Sequence, residues 1–140
     1  MPWQKIRNKK FILFILLVIA SSAAGANAQS EQKALLKQRV DLYNKYFSAG
    51  NYEKMWEMSS KKLRGQNNDD KNSYIKNLIG FRSIKLKTRI KNLKIEKARA
   101  VVNIKISLWA KEKQKWLRST ENNVWVFEDN DWFFDSQIEK

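Results

Sequence analysis

The chain contains no cysteine and no histidine, and its only proline is Pro2. Without cysteine there is no disulfide, no lipid anchor on a thiol and no thiolate to act as nucleophile or soft metal ligand, so stability must come from the core alone. Without histidine the commonest general acid/base and metal ligand is missing, which excludes His- or Cys-based dyads and the usual zinc chemistry. The four glycines stand at positions 25, 50, 65 and 80, never clustered. That spacing excludes a phosphate-binding loop and a nucleophile elbow. No metal and no cofactor are expected.

The one long apolar run, Phe11 to Ala20, is too short for the roughly 20 residues that span a bilayer. It follows a basic segment with Lys5, Arg7, Lys9 and Lys10 and precedes a small-residue stretch ending in Ala26-Asn27-Ala28. This is the layout of a secretory signal peptide over residues 1–28, with cleavage expected between Ala28 and Gln29 and export to a periplasm or the exterior. Retention of the helix as a membrane anchor for an envelope assembly domain is the alternative. Residues 29–140 are then one domain. Cleavage removes four cations from a formal charge of +14, leaving a strongly basic remainder. An anionic envelope surface is a partner class that such a charge favours, and export argues against nucleic acid.

Along that domain the apolar spacing first has a helical period. Leu36, Val40, Tyr43 and Phe47 fall on one face of a helix expected over Glu31–Ser48. Gly50 suits the left-handed position that ends it, and Asn51 suits the cap of a second helix from Tyr52 to about Ser59. Lys61–Asn68 reads as a loop. Asn68, Asp69 and Asp70 supply a capped, acidic start for a third helix that presents Tyr74, Ile75, Leu78 and Ile79, with Gly80 as its terminator.

From Ile84 the period becomes two. Ile84, Leu86, Thr88 and Ile90 alternate with Lys85, Lys87, Arg89 and Lys91; Leu93 and Ile95 then take the other parity, which predicts a β-bulge near Lys91-Asn92. A turn at Ala98-Arg99 leads to strands over Ala100–Ala110, Trp116–Phe127 and Trp132–Asp135, joined by turns at Lys111–Lys115 and Glu128–Asp131. The expected class is α+β: N-terminal helices packed on a curved, mainly antiparallel four-stranded sheet.

Three features of residues 31–136 resemble the nuclear transport factor 2-like superfamily, which includes the ketosteroid isomerases and the polyketide-cyclase group. They are the break Phe47-Ser48-Ala49-Gly50-Asn51-Tyr52 followed by a short helix with Trp56, the bulged long strand, and the closing hairpin from Trp125-Val126-Phe127-Glu128-Asp129 to Asp131-Trp132. The resemblance implies a cystatin-like cone with a pocket, and association of two copies through the sheet. It does not fix an activity, since the same cone serves enzymes, binding modules and assembly domains.

The lack of histidine removes the histidine-dependent dehydratases of that superfamily as templates. A carboxylate–tyrosine pair, as in cofactor-free isomerases and cyclases, would need an inward acid. The three considered are Asp41, beside the helix stripe, Asp135, at a strand end, and Glu121, in a polar stretch with Thr120, Asn122 and Asn123 that reads as solvated. None is assigned as catalytic, and a binding role is favoured over an enzymatic one. Tyr43, Phe47, Trp56, Tyr74, Trp109 and Trp125 are the residues expected to line a cone pocket for a small apolar ligand, with Arg118 near its mouth. Phe134 belongs to the same aromatic set, and the bland alternative for all of them is a packed core. The lysines of the first strand, with Lys94, Lys97, Arg99 and Lys105, form a basic sheet face that serves solvation or an anionic partner. A protein partner is the other occupant considered for the pocket or the sheet face.

Overall fold

The alternation of apolar and charged side chains from residue 84 onward is realised as a four-stranded antiparallel meander, ordered β1-β2-β3-β4. The computed structural model describes residues 3–65 and 68–138, with side chains over 25–65 and 71–138. Two units are distinguished, residues 1–34 and residues 35–140. Helix α1 is Trp3–Ala49, α2 is Tyr52–Glu57, α3 is Lys61–Arg64 and α4 is Asn68–Leu78. The strands are β1 Leu86–Glu96, β2 Arg99–Ala110, β3 Lys115–Glu128 and β4 Asp131–Ile138. Among the described residues no helix is long and apolar enough to cross a membrane. The basic and apolar side chains of the segment read as a leader lie outside the described ones, as do those of the cap at Asn68, Asp69 and Asp70.

The end of α1 and the start of α2 have local causes. Gly50 has φ +70, and its N–H returns to Phe47 O at 3.1 Å, which closes α1. Asn51 Oδ1 accepts the Lys54 N–H at 3.3 Å and opens α2. The loop expected from Lys61 is instead the single turn α3. Ser60, with an extended backbone, accepts the Leu63 N–H on its Oγ at 3.1 Å and starts a helix that composition alone did not suggest. Gly80 does not end α4 in the left-handed conformation. The chain passes into a 3₁₀ turn over Ile79–Phe81, which leaves Ile79 50% exposed rather than on the buried stripe.

The register of β1 on β2 shifts between Ile90 and Asn92, so Lys91 is the extra residue of the expected bulge. The shift returns Leu93 and Ile95 to the face that Leu86, Thr88 and Ile90 occupy. Asp129 and Asn130 both have positive φ, +50 and +61, in the two-residue turn that matches the twist of β3 and β4. That strand pair has its own shift between Val124 and Trp125, with Asp135 unpaired, and β4 runs on to Ile138 rather than stopping at Asp135.

Helices and sheet meet over one apolar layer. Leu36, Val40 and Tyr43 of α1 and Tyr52 and Met55 of α2 pack with Val102, Ile104, Trp125, Trp132 and Phe134. Burying a Leu- or Val-sized side chain contributes about 1.5–3 kcal/mol, so this layer is the main source of stability in a chain with no cross-link. Polar ties fix the assembly at one side. Arg39 Nε lies 3.3 Å from both Trp132 O and Asp131 Oδ1, which pins α1 to β4. Met58–Ser60 runs alongside β4: Phe134 N–H bonds to Met58 O at 2.9 Å and Ser60 N–H to Phe134 O at 2.7 Å. Ser60 Oγ also bonds Asp135 at 2.7 Å.

Trp132 is 1% exposed and packs against Phe127 at 5.2 Å. Trp132→Ala is expected to cost about 3–5 kcal/mol in urea unfolding, whereas Ile79→Ala stays within about 0.5 kcal/mol despite the similar hydrophobicity of the residue removed.

Candidate functional site

Strand parity decides what faces the helices. On β2 the inward residues are Ala100, Val102, Ile104, Ile106 and Leu108, buried or nearly so. Their partners on β3 are Trp125, Asn123, Glu121, Ser119 and Leu117. The polar stretch Ser119–Asn123 therefore sends three side chains inward, and Glu121, read from the sequence as solvated, stands opposite Ile104 on the covered face. That expectation is corrected by register: the neighbours Thr120 and Asn122 are the ones that face out.

These inward polar groups form one wall of a cavity of about 250 Å³. Helix α1 contributes Tyr43, Asn44 and Phe47, and α2 contributes Met55. Leu78 and Phe81 close it from the end of α4, and Ile104, Ile106 and Leu108 form the floor. From β3 come Ser119, Glu121 and Asn123, and from β4 Phe134 and Gln137. A more open hollow of about 310 Å³ shares Tyr43, Leu78, Phe134 and Gln137 with it and adds Tyr74 and Asp135.

The residues expected at a ligand site separate into three groups. Tyr43 and Phe47 lie on the cavity wall, and Tyr74 lies on the adjoining hollow. Trp56 and Trp125 are packed behind these: Trp56 meets the Tyr74 ring at 5.3 Å, and Trp125 meets Tyr43 at 5.5 Å with no exposure. Trp109 and Arg118 are not brought to the cavity. Trp109 pairs with Trp116, and Arg118 stands opposite Ser107, so both belong to the outer face of the sheet. Asn44, Ser119, Asn123 and Gln137 are wall residues that aromatic composition did not reveal. Carrying the parity of Ile104 and Ile106 across the Lys111–Gln114 turn would have found Ser119, Glu121 and Asn123.

Two polar clusters set the chemistry. The hydroxyls of Tyr43 and Tyr74 are 2.7 Å apart. Burial, and then the neighbouring Tyr74, raise the Tyr43 pKa well above its ordinary value, and burial pushes Tyr74 up to about 12. Both remain neutral hydrogen-bonding groups at physiological pH. The Glu121 carboxylate accepts the Gln137 Nε2–H at 2.8 Å, and burial raises its pKa. Asn123 is 5% exposed, and its Oδ1 has no hydrogen-bond partner. Among the described residues no cluster of acids has the arrangement of a metal site.

The other two acids weighed from sequence are elsewhere. Asp41 is exposed on α1, and Asp135 is half-buried and bonded to Ser60. The outer sheet face is basic, with Lys87, Arg89, Lys105 and Arg118 on neighbouring strands and Lys87 Nζ 4.6 Å above the Trp116 ring.

No protein-family model and no curated protein sequence matches the chain. Solved structures do match its fold. A SEC-C motif containing protein from Rhodopseudomonas palustris aligns with a TM-score of 0.54 at 8% identity, over 69% of this chain and 72% of that one. TsrD from Streptomyces laurentii aligns at 0.55 with 13% identity, over 73% and 84%. An LEH-like epoxide hydrolase from M. tuberculosis aligns at 0.50 with 8% identity, over 70% and 74%. At these identities the likeness is one of fold: a small cone-like α+β domain.

Two variants test the polar clusters. Tyr74→Phe removes the partner of the buried Tyr43 hydroxyl and is expected to lower stability by about 1–3 kcal/mol with the fold unchanged by circular dichroism. Glu121 has a folded-state pKa above its unfolded value, so the folded protein holds the proton more tightly and stability falls as pH rises through that interval. Glu121→Gln removes this loss. In melting curves across pH it should match the parent below the usual carboxylate range and exceed it at neutral pH.

Proposed function

We propose that the domain is an exported, nuclear transport factor 2-like binding module that holds a small, largely apolar ligand in the cavity between its helices and the inner sheet face. The observation that carries this reading is the cavity itself. Its walls are drawn from α1, α2, the end of α4 and three strands, and they are apolar except for a few convergent polar groups, the composition of a small-molecule site. Tyr43 and Phe47 form the aromatic wall in this reading, and Trp125 supports it from behind. The cone-like fold of the matching structures is compatible with the proposal.

A second reading, cofactor-free isomerase or cyclase chemistry, draws on one observation: a carboxylate and a tyrosine, Glu121 and Tyr43, share the same cavity. Glu121 would act as the base and a neutral Tyr43 as the donor. The bonding pattern favours binding over this, because Tyr43 is engaged with Tyr74 and Glu121 with Gln137, and no hydrogen bond joins the two.

Native mass spectrometry on the protein recovered undenatured from its own host tests the proposal. The expected result is a chain beginning at Gln29 that carries a small-molecule adduct released on activation. A bare chain, or one found only in complex with another protein, would count against the pocket as the functional site. An intact Met1 terminus would return the leader to its anchor alternative.

A further inference from the structure

This inference rests on the pocket reading and concerns the class of ligand that the pocket takes. The sequence carries 28 lysines and arginines against 14 acids. Yet none of the described residues lining the cavity is a lysine or arginine, and Glu121 is the one among them that bears a full charge. The inside of the cone thus has the opposite electrostatic character to its outer sheet face.

The wall holds one buried acceptor that no donor meets. Gln137 Nε2 satisfies Glu121 Oε2, while Asn123, two residues along the same face of β3, keeps a buried Oδ1 with no partner. An unpaired buried acceptor costs about 1–3 kcal/mol, a cost that a donor arriving with a ligand removes. Alternate residues of a strand are about 6.8 Å apart at their bases, so Glu121 and Asn123 are neighbours on one wall of the cavity. Aromatic rings line the same cavity: Tyr43 stacks on Phe134 at 4.9 Å, and Phe47 meets Phe81 at 5.6 Å. Ring faces attract a cation and repel an anion. A carboxylate or phosphate ligand would instead bring like charge to Glu121 in a half-buried site with no cation on its wall.

We propose that the cavity selects an organic cation, an amine with an alkyl or aryl body, whose N–H groups bond Glu121 and Asn123 Oδ1 while its apolar part lies against Ile104, Ile106 and Phe47. Glu121 is the residue that sets the charge preference. Asn123 sets the direction of the bound group along β3. Acidification weakens such binding, because protonation of Glu121, whose pKa burial raises, removes the charge that the amine meets.

Three probes of matched size test this: phenethylamine, phenethyl alcohol and phenylacetate, titrated against the protein purified from its host, with displacement of one by another showing a shared site. The amine is expected to bind about tenfold or more tightly than phenylacetate, with the alcohol between them. Glu121→Gln should bring the amine to the level of the alcohol and leave the alcohol unchanged. Gln137→Ala, which frees the second carboxylate oxygen, should keep the amine preference. Equal binding of all three would sustain the pocket reading and overturn the cation preference, as would tighter binding of phenylacetate or an amine preference that survives Glu121→Gln. Loss of the preference in Gln137→Ala at unchanged stability would also count against it. Binding of none of the three would remove the pocket reading and this inference together.

Discussion

The Tyr43 ring lies nearly parallel to Phe134 at 4.9 Å and edge-on to Trp125 at 5.5 Å, and the seating of α1 on the sheet depends on that triple contact. Aromatic pairs at these separations contribute about 0.5–1.5 kcal/mol beyond the area they bury, and each ring here serves in two pairs. The hydroxyl of the same tyrosine reaches α4 through Tyr74. One side chain therefore joins helix to sheet, helix to helix, and both to the cavity. A residue so constrained cannot swing to meet a ligand. The cavity it helps to form is held open by packing.

The distribution of charge follows from the same layering. Lysines and arginines need water around the charged head and have their stems to spare, so they crowd the outer face of β1 to β3 and the turns. A lone carboxylate can face inward because neighbouring neutral amides share its solvation, at the cost of a raised pKa. Desolvation keeps the exterior cations out of the cavity, and burial sharpens the effect of the acid that remains.

Much of this architecture was legible in the sequence because period and parity are local properties. The change from helical to alternating spacing at Ile84, the parity slip beyond Ile90, and the polar break before Trp132 specify β1, its bulge and the last hairpin without reference to anything distant. The short helix α3 was not legible, because its start is a Ser60 whose hydroxyl is held in place by Asp135, far along the chain. The extension of β4 was missed for a similar reason: Gln137 and Ile138 are unremarkable polar and apolar residues until pairing with Asn123 and Asn122 gives them a strand. At the candidate site, aromatic identity found Tyr43, Phe47 and Tyr74 but also Trp109, which parity sends to the other face. Glu121 and Asn123 were concealed by their own polarity. Inward-facing polar residues break the pattern that reveals a strand's orientation.

The backbone of Met58–Ser60, laid along β4 at Phe134, has a consequence for how the molecule behaves in a crowd. A terminal strand normally exposes a row of free amides and carbonyls on which another chain can grow. Here that row is interrupted at Phe134 on one flank of the meander, and on the other flank β1 is bulged at Lys91 and carries Lys87, Arg89 and Lys94. Both features disfavour edge-to-edge addition of strands. A chain without a single cysteine thus owes its resistance to strand addition to chain geometry rather than to covalent locking.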